Sequence, residues 1–578
     1  MSNAMGSAAT TPRAGVGRPR APCGSLQTLR RNHHLHLRTK SASKPRHLSC
    51  KAAGVDRRDV LLGLGGAAAA GLATSSSRGG AVAAPVQAPD LGNCHPPALP
   101  DTAPDVDCCL AYRAGTGTVD FELPPASSPL RVRPAAHLVD REYVAKYEEA
   151  VALMKKLPDD DPRSLAQQWR VHCAYCDGAF DQVGFPELEI QIHNCWLFYP
   201  WHRFFLYFHE RILSKLIGDD KFAPPFWNWD APGGMSLPAI YANTSSPLYD
   251  ERRNPAHQPP FTVDLSYNGT EQTTPRDQQI DQNLRIMYRQ MISSAKKKEL
   301  FFGQPYHQGD QPDPGAGTIE NVPHNPVHFW SGDPRQANGE DMGNFYSAAR
   351  DPLFFAHHGN VDRMWSVWSG LRPGNAGAGG FTDTDWLDAA FLFYDEEARL
   401  VRVRVRDCLD TAALRYAYQD VALPWLDAKP PTEAGSPAPA SAALPATLSQ
   451  TVRVAVTRPK TSRSREEKDD EEEVLVVEGI EIADHFSRFV KFDVFVNESQ
   501  SGAGTAAVAQ CAGSVALTPH AVRPSKGKEP VKTTARFGIT DLLDDIGADG
   551  DKTIVGSLVP RCAGDMVTVG GVRISYVK

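Results

Sequence analysis

Two histidines spaced four residues apart form the first segment that could bind a metal ion. In the run His324-Asn325-Pro326-Val327-His328 the imidazoles are one helical turn apart, so they point the same way and can hold one ion. Pro326 suits the first turn of a helix. Because two solvent-facing histidines on a helix show the same spacing, this pair has meaning only together with further ligands.

A second segment, Asp351 to Arg363, carries the adjacent histidines His357 and His358. Neighbouring side chains on a helix diverge by about 100°, so only one of the two can readily face a shared metal ion. Helix geometry does not say which, and the other histidine is expected to pack or to support the site. Asp362, four residues after His358, is expected to hydrogen-bond an imidazole and fix its tautomer.

The third set is His172, His193 and His202, of which His202 lies two residues into a helix that Pro200 opens. Trios of imidazoles without a carboxylate disfavour magnesium, calcium and two-histidine-one-carboxylate iron, and they suit copper or zinc. Spacing does not choose between copper and zinc. If the metal is copper, two such ions a few ångströms apart can each give one electron to a bridging dioxygen. Four other histidines are interpreted as structural or surface residues: His137, His209, His257 and His307.

A helical frame is expected to carry these ligands. Apolar residues recur at helical spacing from Ala135 to Arg170, and further helices are predicted from Pro200 to Ile217 and from about Pro352 to Leu371. Between the last two, residues 231–280 are dense in Pro, Asn, Asp and Gly and predict loops. Long loops on a helical frame commonly shape a site.

The composition changes at Pro430 and indicates a second domain. A tract of Pro, Ala and Ser predicts an extended, cleavable linker over residues 430–450. Beyond it, residues 451–578 alternate in strand fashion and predict an all-β sandwich. The linker thus separates this sandwich from a mainly α catalytic domain, residues 84–429.

The first 83 residues have the composition of a targeting segment. Residues 1–55 contain ten basic residues and no acid, which is typical of a chloroplast or mitochondrial transit peptide. The pair Arg57-Arg58, an apolar run and Ala81 to Ala83 then resemble a twin-arginine signal, with cleavage expected after Ala83. Together they predict a chloroplast transit peptide followed by a signal for the thylakoid lumen.

Charge and hydropathy exclude two classes of partner. The chain has a formal net charge of −7, and removing the ten basic charges of residues 1–55 leaves −17, which argues against a nucleic-acid partner. The longest uncharged apolar run, residues 60–73, is too short for a bilayer span. A soluble mature protein without a membrane span is therefore expected.

Four motifs in order resemble the type-3 copper family, and within it the plant polyphenol oxidases. They are His172-Cys173-Ala174-Tyr175-Cys176, His193-Asn194 to Pro200-Trp201-His202-Arg203, the run from His324 to His328, and the run from Asp351 to Trp365. The resemblance favours copper and implies a four-helix-bundle dicopper core. It assigns His172, His193 and His202 to the first copper and His324, His328 and His358 to the second.

The resemblance also implies roles for cysteines and for residues near the metals. Spacing alone leaves disulfides, metal ligation and buried thiols open. The family implies a thioether between Cys176 and His193, disulfides Cys94–Cys109 and Cys108–Cys173, and a free Cys195. It further implies that the ring of Phe345 lies above the second copper as a gate, and that Phe329 lines the pocket. Glu320 and Asn325 would hold a water that helps deprotonate an incoming phenol.

The activity implied by the resemblance is oxidation of catechols to o-quinones with reduction of O2 to water. Small phenolic substrates, O2, two copper ions and a processing protease at the linker are the expected partners and cofactors. The last domain, which carries Lys491-Phe492-Asp493-Val494, would shield the site and keep the enzyme latent until the linker is cut. Monophenol hydroxylation stays open. Rival hypotheses are a haemocyanin-like oxygen carrier and a zinc hydrolase.

Overall fold

The computed structural model describes residues 83–578, apart from residues 101, 113–114, 270–273, 374–379, 484–487, 501–503 and 521–530. The predicted targeting segment, residues 1–83, lies outside the described residues except for Ala83. No helix in the described part of the chain combines the length and the apolar character needed to cross a membrane.

The helices begin and end where local sequence dictates. They are α1 (Arg141–Lys156), α2 (Leu165–Cys176), α3 (Phe198–Ile217), α4 (Arg276–Tyr288), α5 (Lys298–Phe301), α6 (Asn325–Ser331), α7 (Phe345–Ala348), α8 (Leu353–Leu371), α9 (Thr384–Asp388), α10 (Arg465–Asp470) and α11 (Thr540–Asp545). The side chains of Asp140 and Ser164 accept hydrogen bonds from the first turns of α1 and α2, as N-cap residues do. The π-type turn Glu320–His324 leads directly into α6.

The helical run predicted from Ala135 to Arg170 consists of two helices, α1 and α2. Residues 157–164 separate them and contain Pro158 and Pro162. Proline lacks the backbone N–H and restricts the residue before it, so a continuous helix cannot pass through this segment. The chain therefore forms two separate helices here, and His172 on the second is fully buried.

Most strands belong to the C-terminal part of the chain. They are β1 (Thr118–Asp120), β2 (Arg131–Arg133), β3 (Asp181–Gln182), β4 (Phe185–Glu189), β5 (Ala390–Tyr394), β6 (Leu400–Arg404), β7 (Tyr416–Tyr418), β8 (Ala446–Thr447), β9 (Val452–Thr457), β10 (Glu472–Ile482), β11 (Val490–Val496), β12 (Cys511–Leu517), β13 (Val531–Gly538), β14 (Thr553–Cys562) and β15 (Val567–Val577). Two antiparallel four-stranded sheets, β13-β10-β15-β8 and β12-β11-β14-β9, share one apolar core. We call residues 451–578 the β-domain.

The predicted linker, residues 430–450, runs along the β-domain. Backbone hydrogen bonds join Pro431 to Ala509 and Ala438 to Glu498, and β8 pairs with β15. On the other side, Trp425 is fully buried and its indole N–H donates to Asp230 at 2.9 Å. The part of the chain that spans from one anchor to the other is therefore only about five residues long.

The β-domain packs closely on the helical domain. The guanidinium of Arg289 donates to the carbonyls of Ala506 and Val508, and the rings of Phe329 and Phe489 stack with centroids 4.3 Å apart. At Gly315, which has φ +144°, an added Cβ would lie 2.1 Å from the carbonyl oxygen of Thr534. Only glycine permits so close an approach of the two domains here.

Candidate metal centre

The first histidine trio comes from two helices and the segment between them. His172 lies on α2, His202 lies in the first turns of α3, and His193 lies in the segment that precedes α3. The ring centroids are 5.4 Å apart for His172 and His193, 5.7 Å for His172 and His202, and 5.0 Å for His193 and His202. The three imidazoles thus surround one small volume, and their binding of one metal ion stays a prediction.

The second trio is built by the turn before α6, by α6 and by α8. His324 ends the π-type turn, His328 lies on α6 and His358 lies on α8. The centroid distances are 4.6 Å between His324 and His328, 4.9 Å between His324 and His358, and 5.4 Å between His328 and His358. The two histidines that are four residues apart therefore lie close to a third histidine from another helix.

The two trios lie next to each other. The rings of His202 and His358 are parallel within 9°, with centroids 4.2 Å apart. The rings of His193 and His324 are 6.0 Å apart. Two ions held by these trios would be close neighbours.

Backbone carbonyls orient four of the six imidazoles through Nδ1. A carbonyl can only accept, so Nδ1 carries the hydrogen and Nε2 keeps its lone pair. Nε2 of His172, His202 and His324 is buried and has no hydrogen-bond partner. Such nitrogens match the chemistry of metal ligands held by an outer hydrogen bond. The four pairs are His172 with Phe345 (2.9 Å), His202 with Phe198 (2.8 Å), His324 with Glu320 (3.3 Å) and His328 with Met342 (2.8 Å).

Burial keeps these imidazoles neutral. None of the six is more than 2% exposed. Burial, reinforced by the neighbouring His328, lowers the pKa of His172 to about 3, and burial lowers the pKa of His328 to about 4. The neutral imidazole is the form that binds a metal ion.

His358 and His357 differ in what their rings contact. His358 Nε2 lies 3.2 Å from His328 Nε2, and its ring stacks on His202 of the other trio. The ring of His357 packs between His324 of the second trio and Trp229. The ring of His357 also lies 4.8 Å from that of His328, and all four histidines form one cluster of possible ligands. The contact of His358 with the other trio is what favours it, and its assignment as the ligand stays a prediction.

A buried thiol lies beside the first trio. Cys176 is free and buried, and its sulfur lies within 4.8 Å of ligand nitrogens of His172 and His193. Both ring nitrogens of His193 lack a hydrogen-bond partner. His193 is therefore not oriented by a carbonyl, and a thioether to Cys176 stays a prediction for what fixes it.

One disulfide closes a loop within the N-terminal arm, and a second attaches the arm to α2. Cys94 is linked to Cys109, and Cys108 is linked to Cys173. Cys173 follows His172 on α2, so the second bridge ties the arm to the helix that carries a histidine of the first trio. Cys195 is buried and free.

The ring of Phe345 covers the histidines from one side. It stacks on His193 with centroids 3.9 Å apart and planes 15° apart. Its centroid lies 6.2 Å from His328 and 6.5 Å from His324. The family resemblance places this ring above the second metal, and that stays a prediction. Among the six histidines, the ring lies nearest His193 of the first trio.

Glu320 is held by a residue that sequence reasoning did not single out. Its Oε1 accepts from the backbone N–H of Asn194 at 2.6 Å, and its Oε2 is buried without a hydrogen-bond partner. Burial raises the pKa of Glu320 well above its ordinary value. Asn194 has φ +54°, a left-handed conformation that asparagine adopts more readily than most residues.

The C-terminal end of β12 reaches the site and covers it. The amide of Asn325 donates to the carbonyl of Ala516 at 2.6 Å, and its oxygen accepts from the hydroxyl of Thr518 at 3.2 Å. The N–H of Phe345 donates to the carbonyl of Pro519 at 3.4 Å. We call residues 516–520 the covering segment. No spacing pattern pointed to it, because almost two hundred residues separate it from Asn325.

His520 ends the covering segment and forms a buried ion pair. Its Nε2 lies 3.1 Å from Asp313 Oδ2, and its ring centroid is 5.4 Å from that of Phe345. Burial lowers the pKa of His520, but the Asp313 carboxylate more than reverses this and raises it to about 9. Asp313 in turn accepts from the side chain of Asn194 at 3.0 Å, which links the segment to the residue that holds Glu320.

The expectation that Asp362 hydrogen-bonds an imidazole is wrong. Its carboxylate accepts from Arg203 at 2.5 Å, from Arg133 at 3.3 Å and from the hydroxyls of Tyr416 and Tyr418 at 2.7 and 2.5 Å. Buried guanidiniums are stronger partners for a carboxylate than a neutral imidazole. Their positions in the fold were not readable from the spacing of Asp362 and His358.

Three other histidines that the structure describes, His209, His257 and His307, pack on aromatic rings or lie near the surface. The ring of His209 stacks on Phe355 with centroids 3.5 Å apart, and His257 stacks on Trp330 at 4.2 Å. His307 is half-buried and lies 3.1 Å from Asp310. These residues do not join either trio.

Family models match three parts of the chain. Residues 162–371 match the common central domain of tyrosinase, residues 380–431 the polyphenol oxidase middle domain, and residues 444–576 the chloroplastic polyphenol oxidase C-terminal domain. The fold and the histidine site thus define a copper oxidoreductase of the tyrosinase class, whose members hold a type-3 pair of coppers.

Individual relatives cover almost the whole chain. A chloroplastic polyphenol oxidase from Malus domestica is 50% identical over 581 residues, which are 95% of this chain and 95% of the relative. Aureusidin synthase from Antirrhinum majus is 50% identical over 506 residues, which are 85% and 88% of the two chains. The structure of latent apple tyrosinase matches with 52% identity and a TM-score of 0.75, over 80% of this chain and all of that one. The chain belongs to the plant polyphenol oxidase family.

Proposed function

We propose that this protein oxidises o-diphenols to o-quinones with reduction of O2 to water at two copper ions. The observation that carries the proposal is the pair of adjacent, buried histidine trios. Four of their Nε2 atoms have no hydrogen-bond partner, and the other two, of His328 and His358, face each other at 3.2 Å. His172, His193 and His202 would hold one ion, and His324, His328 and His358 the other. The four-helix-bundle description of their frame, α2, α3, α6 and α8, is part of the proposal.

Bound copper would supply the electron transfer from the phenol to O2. The chain supplies the rest of the site. Phe345 forms an aromatic wall against His193, and neutral, carbonyl-oriented imidazoles keep their lone pairs available for the metal ions. Phe329, next to His328, stacks on Phe489 of the β-domain and would line the entrance once that domain moves away.

Glu320 and Asn325 are the proposed proton-handling residues. Glu320 Oε2 has no partner, so it can hold a water or accept a proton at that oxygen. In the closed form, burial favours its protonated state. Asn325 would orient the same water after the covering segment leaves, and monophenol hydroxylation depends on this step.

The closed structure supports latency. The covering segment uses both polar atoms of the Asn325 side chain, so an incoming phenol would have to displace it. We propose that cutting the linker and moving the β-domain away opens the site. A relative of known structure is described as a latent form.

The compartment and one cross-link complete the proposal. Close relatives are named chloroplastic, and the twin-arginine pattern of this chain extends the prediction to the thylakoid lumen. With copper and O2 present, the thiol of Cys176 and a ring carbon of His193 would each lose a hydrogen as the thioether bond forms, and O2 would take up the two electrons and two protons. The relatives include an enzyme named aureusidin synthase, so members of the family differ in their phenolic substrates. The natural phenol of this protein is therefore a question for experiment.

The test is turnover by pure, copper-loaded protein freed of the β-domain. We expect 4-methylcatechol to give a quinone with consumption of O2, and the ratio of tyramine to dopamine turnover to report monophenol hydroxylation. Reversible O2 uptake without quinone would indicate an oxygen carrier instead. Hydrolysis supported by zinc, without O2 uptake, would refute the proposal.

A further inference from the structure

A buried ion pair joins the two helices that carry His202 and His358. Arg203 directly follows His202 on α3, and Asp362 lies one turn after His358 on α8. The guanidinium Nε of Arg203 donates to Asp362 Oδ1 at 2.5 Å, and both side chains are 2% exposed. The pair therefore connects one helix of each trio, at a position next to His202 in α3 and one turn from His358 in α8.

Both partners of this ion pair are held from several sides. Arg203 also donates to the carbonyl of Cys408 at 3.0 Å and lies over the ring of Trp365 at 3.4 Å. Asp362 also accepts hydrogen bonds from Arg133 and from the hydroxyls of two tyrosines. Although burial raises the pKa of Asp362, the two guanidiniums outweigh it and hold the pKa below its ordinary value. The carboxylate stays charged, and the pair stays formed, at neutral pH.

The ring of His358, like that of His193, is not fixed by a backbone carbonyl. Four ligands are oriented by a backbone carbonyl, but Nδ1 of His358 has no hydrogen-bond partner. Its ring is held by contact with Phe354 and His202, with centroids 4.2 Å away in each case. Its position is therefore set by where α8 lies relative to α3.

We propose that Asp362 and Arg203 are positioning residues that set the distance between the two metal ions. The inference rests on the proposed function, because it presumes that the trios hold metal. Loss of the pair would leave each trio able to bind an ion, but it would let α8 shift and separate the ions. This differs from loss of a ligand, which would remove one ion.

The experiment compares Asp362→Asn with Asp230→Asn in the full-length, copper-loaded protein. Asp230 is also buried, and it accepts hydrogen bonds from Asn360, Arg363 and Trp425. It therefore contacts α8, as Asp362 does, but its bonds do not connect α8 to α3. Two copper(II) ions close enough to share a bridging ligand pair their spins and give no EPR signal. We expect Asp362→Asn to keep most of its copper and to show an EPR signal. After activation, its kcat should fall at least about tenfold with little change in KM. Asp230→Asn should give no EPR signal.

A milder variant, Arg203→Lys, covers the case in which Asp362→Asn does not fold, because it keeps a charge but loses the planar fork. It should show the same EPR signal at smaller amplitude. Asp362→Glu, which keeps the carboxylate, should show a weaker EPR signal than Asp362→Asn. Folded variants of both residues that remain silent with unchanged kcat would overturn the inference. A wild-type protein that binds no copper would instead overturn the proposed function.

Discussion

The side chain of Asn325 is bonded to the backbone of Ala516, with a donor–acceptor distance of 2.6 Å. Asn325 follows His324 of the second trio, and Ala516 belongs to the β-domain. The hydrogen bond therefore joins the metal centre directly to the part of the chain that covers it. Opening the site requires this bond and that of Thr518 to break, and each neutral bond of this kind contributes about 1 kcal/mol.

Cutting the linker alone is expected to leave the protein closed. The segment that spans the two domains is short, and the domains also share the Arg289 contacts and an ion pair between Lys296 and Asp541. We expect a protease site inserted at residues 428–430 to give a nicked protein that elutes as one species at low salt. Catechol oxidation should rise only when salt or mild detergent separates the domains. Spontaneous separation on cutting, with full activity, would contradict this.

The ion pair between His520 and Asp313 makes closure dependent on pH. Because the pKa of His520 is raised to about 9, its contribution is complete below its ordinary pKa of about 6.5 and is lost as the pH rises through 9. The acidic groups that act on it are Asp313, Glu320 and Asp177. In nicked protein, we expect release of the β-domain to increase between pH 6.5 and 9.5, measured by gel filtration. His520→Gln should release it more readily and flatten this dependence; equal release at every pH in wild type would argue against the pair.

Copper content distinguishes the two adjacent histidines. We expect His358→Gln to retain about one copper per chain and to lose catechol oxidation, because a trio reduced to two imidazoles binds copper weakly. His357→Gln should retain about two, since its ring packs beside Trp229. Metal analysis after dialysis measures both, with His209→Gln as a buried control. The opposite pattern would assign the ligand to His357.

Glu320 is expected to matter more for monophenols than for catechols. In protein freed of the β-domain, Glu320→Gln removes the group that can take a proton at Oε2, and a general base commonly contributes about 10²-fold or more. We expect tyramine hydroxylation to fall by about that factor while dopamine oxidation changes little. Glu320→Asp is the conservative control. An equal fall for both substrates would indicate a structural role.

The neighbourhood of Cys176 and His193 predicts a covalent link. In copper-loaded protein, the peptides that contain them should be joined, and their mass should be lower by the two hydrogens lost from the thiol and the ring. Cys176→Ser should release a free His193 peptide, and the copper-free protein serves as a second control. Unlinked peptides in active protein would show that His193 is held in another way.

The sequence by itself determined the local parts of this protein. The spacing of His324 and His328, the prolines that limit the helices, and the alternation beyond residue 450 all reflect interactions between near neighbours, which period and propensity encode. The family motifs extended this to all six ligands. The helical core and the separate C-terminal domain could be predicted for the same reason.

Only the tertiary structure decided the contacts between distant segments. The partners of Asp362, the role of Asn194 beneath Glu320, and the covering segment that ends in His520 join residues separated by about fifty to two hundred positions. Such contacts depend on how helices and sheets pack, which has no period along the chain. This is why the expected bond from Asp362 to an imidazole was wrong, although both residues were correctly placed on one helix.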